Sequence, residues 1–147
     1  MRTRELARLL KKHKDTQHLF KGVFPCDQIP KSLPSPSAII ANTDPYGKAG
    51  RHWVAYFVTP TCVYYFDSYG QPPLNKQLKV PMQIRKHKKY FRRRLQGRSY
   101  VCGHYCLYFI LAMVKGWGFT RFNARLDQND VLVKKLIARH FHLYKRK

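Results

Sequence analysis

A cysteine in this chain stands where it could act as a nucleophile. Cys102 lies in QGRSYVCGHYCLYFIL, where an irregular segment enters an apolar stretch that predicts a buried helix. A thiol at a helix N-terminus meets the positive end of the helix dipole and unsatisfied backbone N–H groups, and both favour a thiolate. With a histidine beside it, such a thiolate can attack a carbonyl, form a thioester and then release it by hydrolysis.

A histidine and an aspartate flank a predicted hairpin. His52 stands in AGRHWVAYF, immediately before the β-prone run Trp53 to Val58, and Asp67 ends the next such run, which begins at Cys62. Turn-forming residues at 59–61 separate the two runs, so the start of the first strand lies opposite the end of the second. We therefore expect His52 and Asp67 to be neighbours, with the carboxylate orienting the imidazole.

Two further residues could complete this site. Gln96, six residues before Cys102, could direct its amide N–H at a developing oxyanion, together with the backbone N–H of Cys102. Gly103 is expected to leave the backbone open to a substrate carbonyl. Each residue alone has a plainer interpretation: a packed histidine, a turn-forming aspartate, a core cysteine or a solvated glutamine. Their order and the predicted strand pairing favour a shared site.

The surrounding pattern predicts one α+β domain over residues 1–147. Helices are expected over residues 4–14, 103–114 and 130–143, with a shorter helical segment at 74–79. Strands are expected over residues 37–43, 53–58, 62–67 and 88–95. The proline-rich passage between Pro25 and Pro36 is expected to contain only turns and extended chain.

The charge balance points to a negatively charged partner. The chain has 29 Lys and Arg against 7 Asp and Glu, a formal net charge of +22, while 44% of its residues are hydrophobic and 14% aromatic. So much apolar material excludes intrinsic disorder, and a folded chain with this charge repels itself unless a polyanion relieves the repulsion.

The densest basic run is the expected phosphate-binding segment. Its proposed nucleic-acid contacts are Arg85, Lys86, Lys88, Lys89, Arg92, Arg93 and Arg94. No base-reading motif accompanies them, so binding to DNA should be independent of sequence and sensitive to salt. A solvated face or a nuclear-targeting patch is the alternative.

The four cysteines have no regular framework spacing, which indicates a reducing compartment rather than a disulfide-stapled secreted domain. The basic N-terminus lacks the apolar core of a signal peptide, and the run from Tyr105 to Val114 is too short to span a membrane. Cys102, His104 and Cys106 fall on different helix faces, so no metal site is expected. The plainest role for Cys26, Cys62 and Cys106 is packing.

The residues above occur in a familiar order. His followed by Trp at a strand start, Asp at the end of the next strand, and Gln six residues before Cys-Gly resemble the clan of adenain and the ubiquitin-like-protein proteases. The adenovirus-type branch is the more similar. The segments that resemble adenain in order are LFKGVFPCDQIP, AIIANTDPYGKAGRHWVAYF, VYYFDSYGQPP, LQGRSYVCGHYCLYFIL and NDVLVKKLIARHFHLY, within residues 19–143.

This resemblance implies a central mixed sheet flanked by helices, with the nucleophile at the N-terminus of a buried helix. It makes Cys102 the nucleophile, His52 the general base and acid, Asp67 the orienting carboxylate and Gln96 the oxyanion donor. Trp53 would line a narrow substrate channel that suits Gly-containing sequences. Residues 19–143 would form the protease core, between a basic N-terminal helix at 1–18 and a basic tail at 144–147.

Three departures from adenain qualify these implications. Asp67 stands where adenain has Glu, and the six-residue spacing from Gln96 to Cys102 is that of the ubiquitin-like-protein proteases. No cysteine corresponds to the one that anchors adenain's peptide cofactor, so disulfide activation by a peptide is not expected, and other peptide activation stays open. DNA could serve as an activating polyanion, as in adenain-like proteases, while the chemistry itself needs no cofactor.

The expected function is therefore a monomeric cysteine endopeptidase that matures capsid or core precursors of a DNA virus or a virus-like transposon. It would act in the virion and the host nucleus, on precursor proteins and with sequence-independent DNA, and without a membrane partner. An isopeptidase that removes a ubiquitin-like modifier is the first alternative. A non-enzymatic basic nucleic-acid-binding protein is the second.

Overall fold

The structure, a computed structural model, describes residues 2–47, 52–95, 101–116 and 130–141. These ranges hold a five-stranded sheet whose strands are β1 (Phe20–Pro25), β2 (Ser37–Asn42), β3 (Trp53–Val58), β4 (Cys62–Phe66) and β5 (His87–Tyr90). The helices within them are α1 (Thr3–Lys12), α2 (Lys76–Lys79), α3 (Cys102–Val114) and α4 (Asp130–Phe141), with 3₁₀ turns at Cys26–Gln28 and Val80–Gln83.

The strands lie side by side in chain order, and their directions determine where the loops gather. β1 runs parallel to β2, and β4 parallel to β5, whereas β3 is antiparallel to both of its neighbours. Four strands therefore end, and β3 begins, at the same end of the sheet. We call this end, with Pro25, Asn42, Trp53, Phe66 and Tyr90 at its margin, the carboxyl end.

The central strands β2 and β3 are buried along almost their whole length because both faces of the sheet are covered. Every residue of β2 is buried, and so is all of β3 after Trp53. One face packs on α1, α3 and α4, through residues that include Ala38, Ala55 and Phe57. The opposite face is covered more thinly by Leu33, Leu78 and Met82. The mixed sheet with flanking helices confirms the predicted α+β class.

Helix α1 has the predicted amphipathic form. Leu6, Leu9 and Leu10 are buried at helical spacing, while Arg4 and Arg8 point to solvent. The helix ends at Lys12, where His13 adopts an extended conformation. Because its apolar face is already packed in the core, the exposed part of α1 is almost entirely basic.

One strand was not predicted, and another was predicted too long. β1 immediately precedes the proline-rich passage and shares only Pro25 with it, because a proline at the last position of a strand does not prevent pairing along the preceding residues. The strand expected over residues 88–95 is regular only to Tyr90. The backbone N–H groups of Phe91 and Leu95 still donate to the carbonyl oxygens of Tyr65 and Ser68, so this stretch follows β4 without forming a strand.

No helix in the part of the chain that the structure describes combines the length and the apolarity that crossing a bilayer would take.

Candidate active site

His52 and Asp67 meet at the carboxyl end of the sheet, as the hairpin predicts. β3 and β4 pair Ala55 with Phe66 and Val58 with Val63, so the residue before β3 faces the turn that follows β4. The His52 Nε2 atom lies 2.8 Å from Oδ1 of Asp67. The imidazole is therefore held by a carboxylate at one of its two ring nitrogens.

Asp67 is fixed by the turn it begins. It is only 2% exposed, and its Oδ1 atom accepts a second hydrogen bond, of 2.8 Å, from the backbone N–H of Tyr69. The backbone N–H of Gly70 donates to the Asp67 carbonyl, also at 2.8 Å. Asp67 thus begins a turn and also holds the imidazole, so both interpretations of this residue from the sequence apply.

Cys102 is the first residue of α3 and is 4% exposed. No side chain of the preceding residue, Val101, caps the helix, so the dipole and the first backbone N–H groups act directly on this end. Hydrogen bonding and charge from Cys102, together with those from Asp67, act on the His52 imidazole.

The surroundings of His52 favour its charged form. Burial alone would lower the pKa of His52, but hydrogen bonds and charge from Asp67 and Cys102 outweigh it and raise that pKa from 6.5 to about 9. An imidazolium at neutral pH, beside a thiol at a helix N-terminus, is the arrangement in which a thiolate is stabilised. It can also supply a proton to a leaving group.

Sequence reasoning missed Tyr69 and its contact with Arg94. The centroid of the Tyr69 ring lies 4.9 Å from that of His52, with the planes inclined by 30°. The Arg94 guanidinium carbon lies 4.9 Å from the same tyrosine ring. The available signal was the hairpin register, which, continued past β4, places position 69 opposite position 52.

Trp53 and Cys106 lie next to the site without joining the contacts of His52. The Cys106 thiol is fully buried and donates to the carbonyl oxygen of Trp53 across 3.4 Å. Burial, followed by the nearby charges of Cys102 and Asp67, raises the pKa of Cys106 well above its usual value. The indole N–H of half-buried Trp53 has no hydrogen-bond partner within the described ranges.

The two other predicted site residues have different outcomes. Gln96 lies outside the described residues. Gly103 is buried, and a Cβ added there would lie 3.1 Å from the Leu6 side chain, so its missing side chain lets α1 pack against the start of α3. Its expected role toward a substrate carbonyl stays a prediction.

The arginines and lysines of the basic run differ in their surroundings. The Arg85 guanidinium, predicted to bind phosphate, donates to the carbonyl oxygens of Thr59, Ile84 and Leu33, so its charge is used within the fold. Arg93 is half-buried. The exposed members are Lys86, Lys88, Lys89, Arg92 and Arg94.

Among residues 2–47, 52–95, 101–116 and 130–141, no group of three or more His, Cys, Asp or Glu side chains could hold a metal ion.

Known proteins resemble the chain at two levels. No protein-family model matches it. In sequence, the chain is 35% identical over 94 residues to the protein named "Putative thiol protease R355" of Acanthamoeba polyphaga mimivirus. That match covers 56% of this chain and 31% of the relative, so the chain spans about a third of the relative's length.

In structure, the chain resembles two crystal structures of the ASFV pS273R protease. One superposes with a TM-score of 0.56 at 18% identity, covering 95% of this chain and 66% of the other. The other, of the selenomethionine protein, gives 0.51 at 22% identity, covering 78% and 47%. The chain therefore has the fold of this protease. In sequence the chain is thus similar to a protein named as a putative thiol protease, and in fold to a viral protease.

Proposed function

We propose that this chain is a cysteine endopeptidase that cleaves viral or virus-like precursor proteins during particle maturation. The observation that carries the proposal is the meeting of Cys102, His52 and Asp67, which lie far apart in the sequence, at one end of the sheet. A buried acid, an imidazole held by that acid and a thiol at a helix N-terminus are the parts of an activated nucleophile.

The reaction follows from this geometry. The Cys102 thiolate attacks the scissile carbonyl carbon, and the negative charge that develops on its oxygen meets backbone N–H groups at the start of α3, with Gln96 as the proposed side-chain donor. His52 then gives its proton to the leaving amine as the C–N bond breaks, which leaves a thioester. Neutral His52 takes a proton from water, whose oxygen attacks the thioester and releases Cys102. Asp67 holds the ring in place throughout.

The substrate class is inferred from the resemblance to adenain and from the viral origin of the similar proteins. Capsid or core precursors with Gly-containing cleavage sites are the proposed substrates, with half-buried Trp53 lining the channel. The proposed place of action is the virion and the host nucleus, and the proposed state is a monomer.

DNA is the proposed polyanionic partner. The net charge of +22 and the exposed residues of the basic run support it. Of the predicted contacts, Lys86, Lys88, Lys89, Arg92 and Arg94 have side chains exposed to solvent, whereas Arg85 is engaged with backbone carbonyls. Binding should weaken steeply with added salt, because each phosphate contact releases counterions.

Cleavage of a Gly-containing precursor peptide tests the proposal. The wild-type chain should cut this peptide. Cys102→Ala should lower the cleavage rate at least about a thousandfold, because the nucleophile is gone. Cys62→Ala removes a thiol at the other end of the sheet and should leave the rate unchanged. Equal activity of Cys102→Ala and the wild-type chain would overturn the mechanism.

A trapping experiment separates the two alternatives. A ubiquitin-like modifier with a C-terminal electrophile should label Cys102 slowly if the chain is an endopeptidase, and rapidly if it is a deconjugating isopeptidase. A purely nucleic-acid-binding protein would bind DNA in a salt-sensitive manner, yet show no selective reaction of Cys102 with a thiol-directed inhibitor.

A further inference from the structure

We propose that Cys106 is a positioning residue, whose thiol joins the helix of the nucleophile to the strand of the base and so sets Cys102 against His52. The inference rests on the proposed protease function, and it gives the second cysteine of α3 a role beyond packing. Cys106 touches neither the substrate nor His52 in this proposal. It acts through the backbone of Trp53, the residue that follows His52 in the chain.

The contact joins the two elements close to their reactive residues. The Cys106 thiol donates to the carbonyl oxygen of Trp53 across 3.4 Å. Cys106 lies about one helical turn after Cys102, and Trp53 is the first residue of β3, directly after His52. One hydrogen bond therefore links the first turn of α3 to the start of β3, and its loss would let the distance between Cys102 and His52 change.

The carbonyl that accepts this bond lies where the sheet's own ladder stops. The backbone N–H of Thr43 donates to the carbonyl oxygen of His52 across 2.9 Å, so the carbonyl of the next residue, Trp53, points toward β4. The pairing of β3 with β4 begins only at Ala55, since β4 ends at its partner Phe66. The thiol thus supplies a donor at the point where the two strands separate, next to the base.

The surroundings of Cys106 preserve this contact. Its side chain is completely buried, so water does not compete for the thiol. Burial, followed by the charges of Cys102 and Asp67, raises the pKa of Cys106 well above its usual value. The group therefore remains a thiol at neutral pH and keeps the hydrogen that it donates, while Cys102 at the helix terminus is the cysteine that can ionise.

Helix α1 holds the same turn of α3 from another direction. Gly103 is buried, and a Cβ added there would lie 3.1 Å from the Leu6 side chain. The first turn of α3 therefore has little room to move toward α1. Of these two contacts, the bond from Cys106 is the one that reaches the strand of the base.

The test compares Cys106→Val with Cys106→Ser in the full chain. Peptide cleavage gives kcat and KM, and alkylation by iodoacetamide gives the reactivity of Cys102. Cys106→Val fills the space of the thiol but has no donor. It should lower kcat and the alkylation rate about tenfold, with KM within about twofold, because a small misplacement of reacting groups is costly. Cys106→Ser keeps an O–H donor and should stay within about threefold of the wild-type chain in both rates.

Cys62→Val is the matched control, because it replaces another buried thiol at the opposite end of the sheet and should leave both rates unchanged. Wild-type rates in Cys106→Val would overturn the inference alone, and so would equal losses in Cys106→Ser, because the donated hydrogen would then not matter. A wild-type chain whose Cys102 alkylates no faster than Cys62 would overturn the proposed function and the inference with it.

A smaller variant covers the case in which Cys106→Val does not fold. Cys106→Ala removes the donor without adding bulk, and it should show the same loss of kcat and of Cys102 alkylation. Wild-type values of both rates in Cys106→Ala would overturn the inference.

Discussion

The two ends of the sheet each bring a cysteine and a histidine together, yet only one end has the parts of a nucleophilic site. At the carboxyl end, Asp67 holds His52, and Cys102 is close enough to help raise the pKa of His52. At the opposite end, Cys62 on β4 is the direct register partner of His87 on β5. Both ends of the sheet therefore have a cysteine next to a histidine. The chemical difference between the two pairs must come from the residues that surround each pair.

The surroundings differ in three ways. Cys62 lies on a strand, where no helix dipole acts on it, and its thiol lies 3.7 Å from the carbonyl oxygen of Val63. Burial raises the pKa of Cys62, and the further influences come from Tyr64 and Lys89, neither of which is an acid that could orient a histidine. His87 is exposed. A cysteine becomes a nucleophile through a helix terminus and an oriented base, and a histidine in the next strand does not suffice.

Replacing each of the two histidines by alanine, in separate variants, should give the largest difference in cleavage rate. His52→Ala should lower the rate of peptide cleavage about a thousandfold, because the leaving amine loses its proton donor and the thiolate its counterion. His87→Ala, at the opposite end, should leave the rate within experimental error. Similar losses in the two variants, measured as kcat/KM on one peptide, would remove the distinction between the ends.

Removing the acid should have a smaller effect. Asp67→Asn keeps a hydrogen-bonding group near His52 but loses the negative charge, so cleavage should fall roughly 10- to 100-fold without being abolished. Because Asp67 raises the pKa of His52, the upper limb of the pH–rate profile, near pH 9 in the wild-type chain, should move to lower pH. An upward shift of that limb would contradict the assigned role of the carboxylate.

The ionisation of His52 should also change the free energy of unfolding with pH. The pKa of His52 is raised from 6.5 to about 9, so its stabilising contribution is complete below pH 6.5 and is lost as the pH rises through about 9. Urea unfolding at these two limits should show that the wild-type chain loses on the order of 2 kcal/mol more than Asp67→Asn. His87→Ala, as the control, should follow the wild-type chain. Equal losses of unfolding free energy in the wild-type chain, Asp67→Asn and His87→Ala would mean that other groups dominate the pH dependence of stability.

The smallest expected effect concerns the turn behind Asp67. Gly70→Ala places a Cβ against the backbone of Arg92 and Arg93 at a φ of +73°, and it should destabilise the fold by about 1–2 kcal/mol more than Gly47→Ala. Gly47 also has a positive φ, of +89°, but no described atom lies within 4 Å of its added Cβ. Equal melting temperatures for the two variants would show that the close approach at Gly70 is easily relieved.

Part of the site was predictable because it depends on local pattern. The β-prone runs around the turn at 59–61 specify a hairpin, and a hairpin brings His52 next to Asp67. The apolar run after Cys102 specifies a helix that begins at the thiol. The contact of Tyr69 with Arg94 could not be predicted in the same way, because it depends on the irregular path of the chain after β5, where no periodicity guides the assignment.

The roles given to Gly103 and Arg85 show the same limit. A glycine beside a nucleophile suggests space for a substrate, and an arginine in a basic run suggests a phosphate contact. Leu6 of α1 packs where a side chain of Gly103 would lie, and three backbone carbonyls bind the Arg85 guanidinium. Leu6 is distant in sequence from Gly103, and Thr59 and Leu33 are distant from Arg85, so these contacts could not be found from local pattern.

The amino-acid sequence by itself determined the charge, the α+β class, the hairpin and the helix that begins at Cys102, because these follow from composition and from periodicities over a few residues. Tertiary structure alone decided which cysteine meets a histidine that an acid holds, since parallel and antiparallel pairing brings four strand ends and one strand start to one margin of the sheet. The raised pKa of His52 arises there, because burial and the contacts with Asp67 and Cys102 exist only once distant segments have packed.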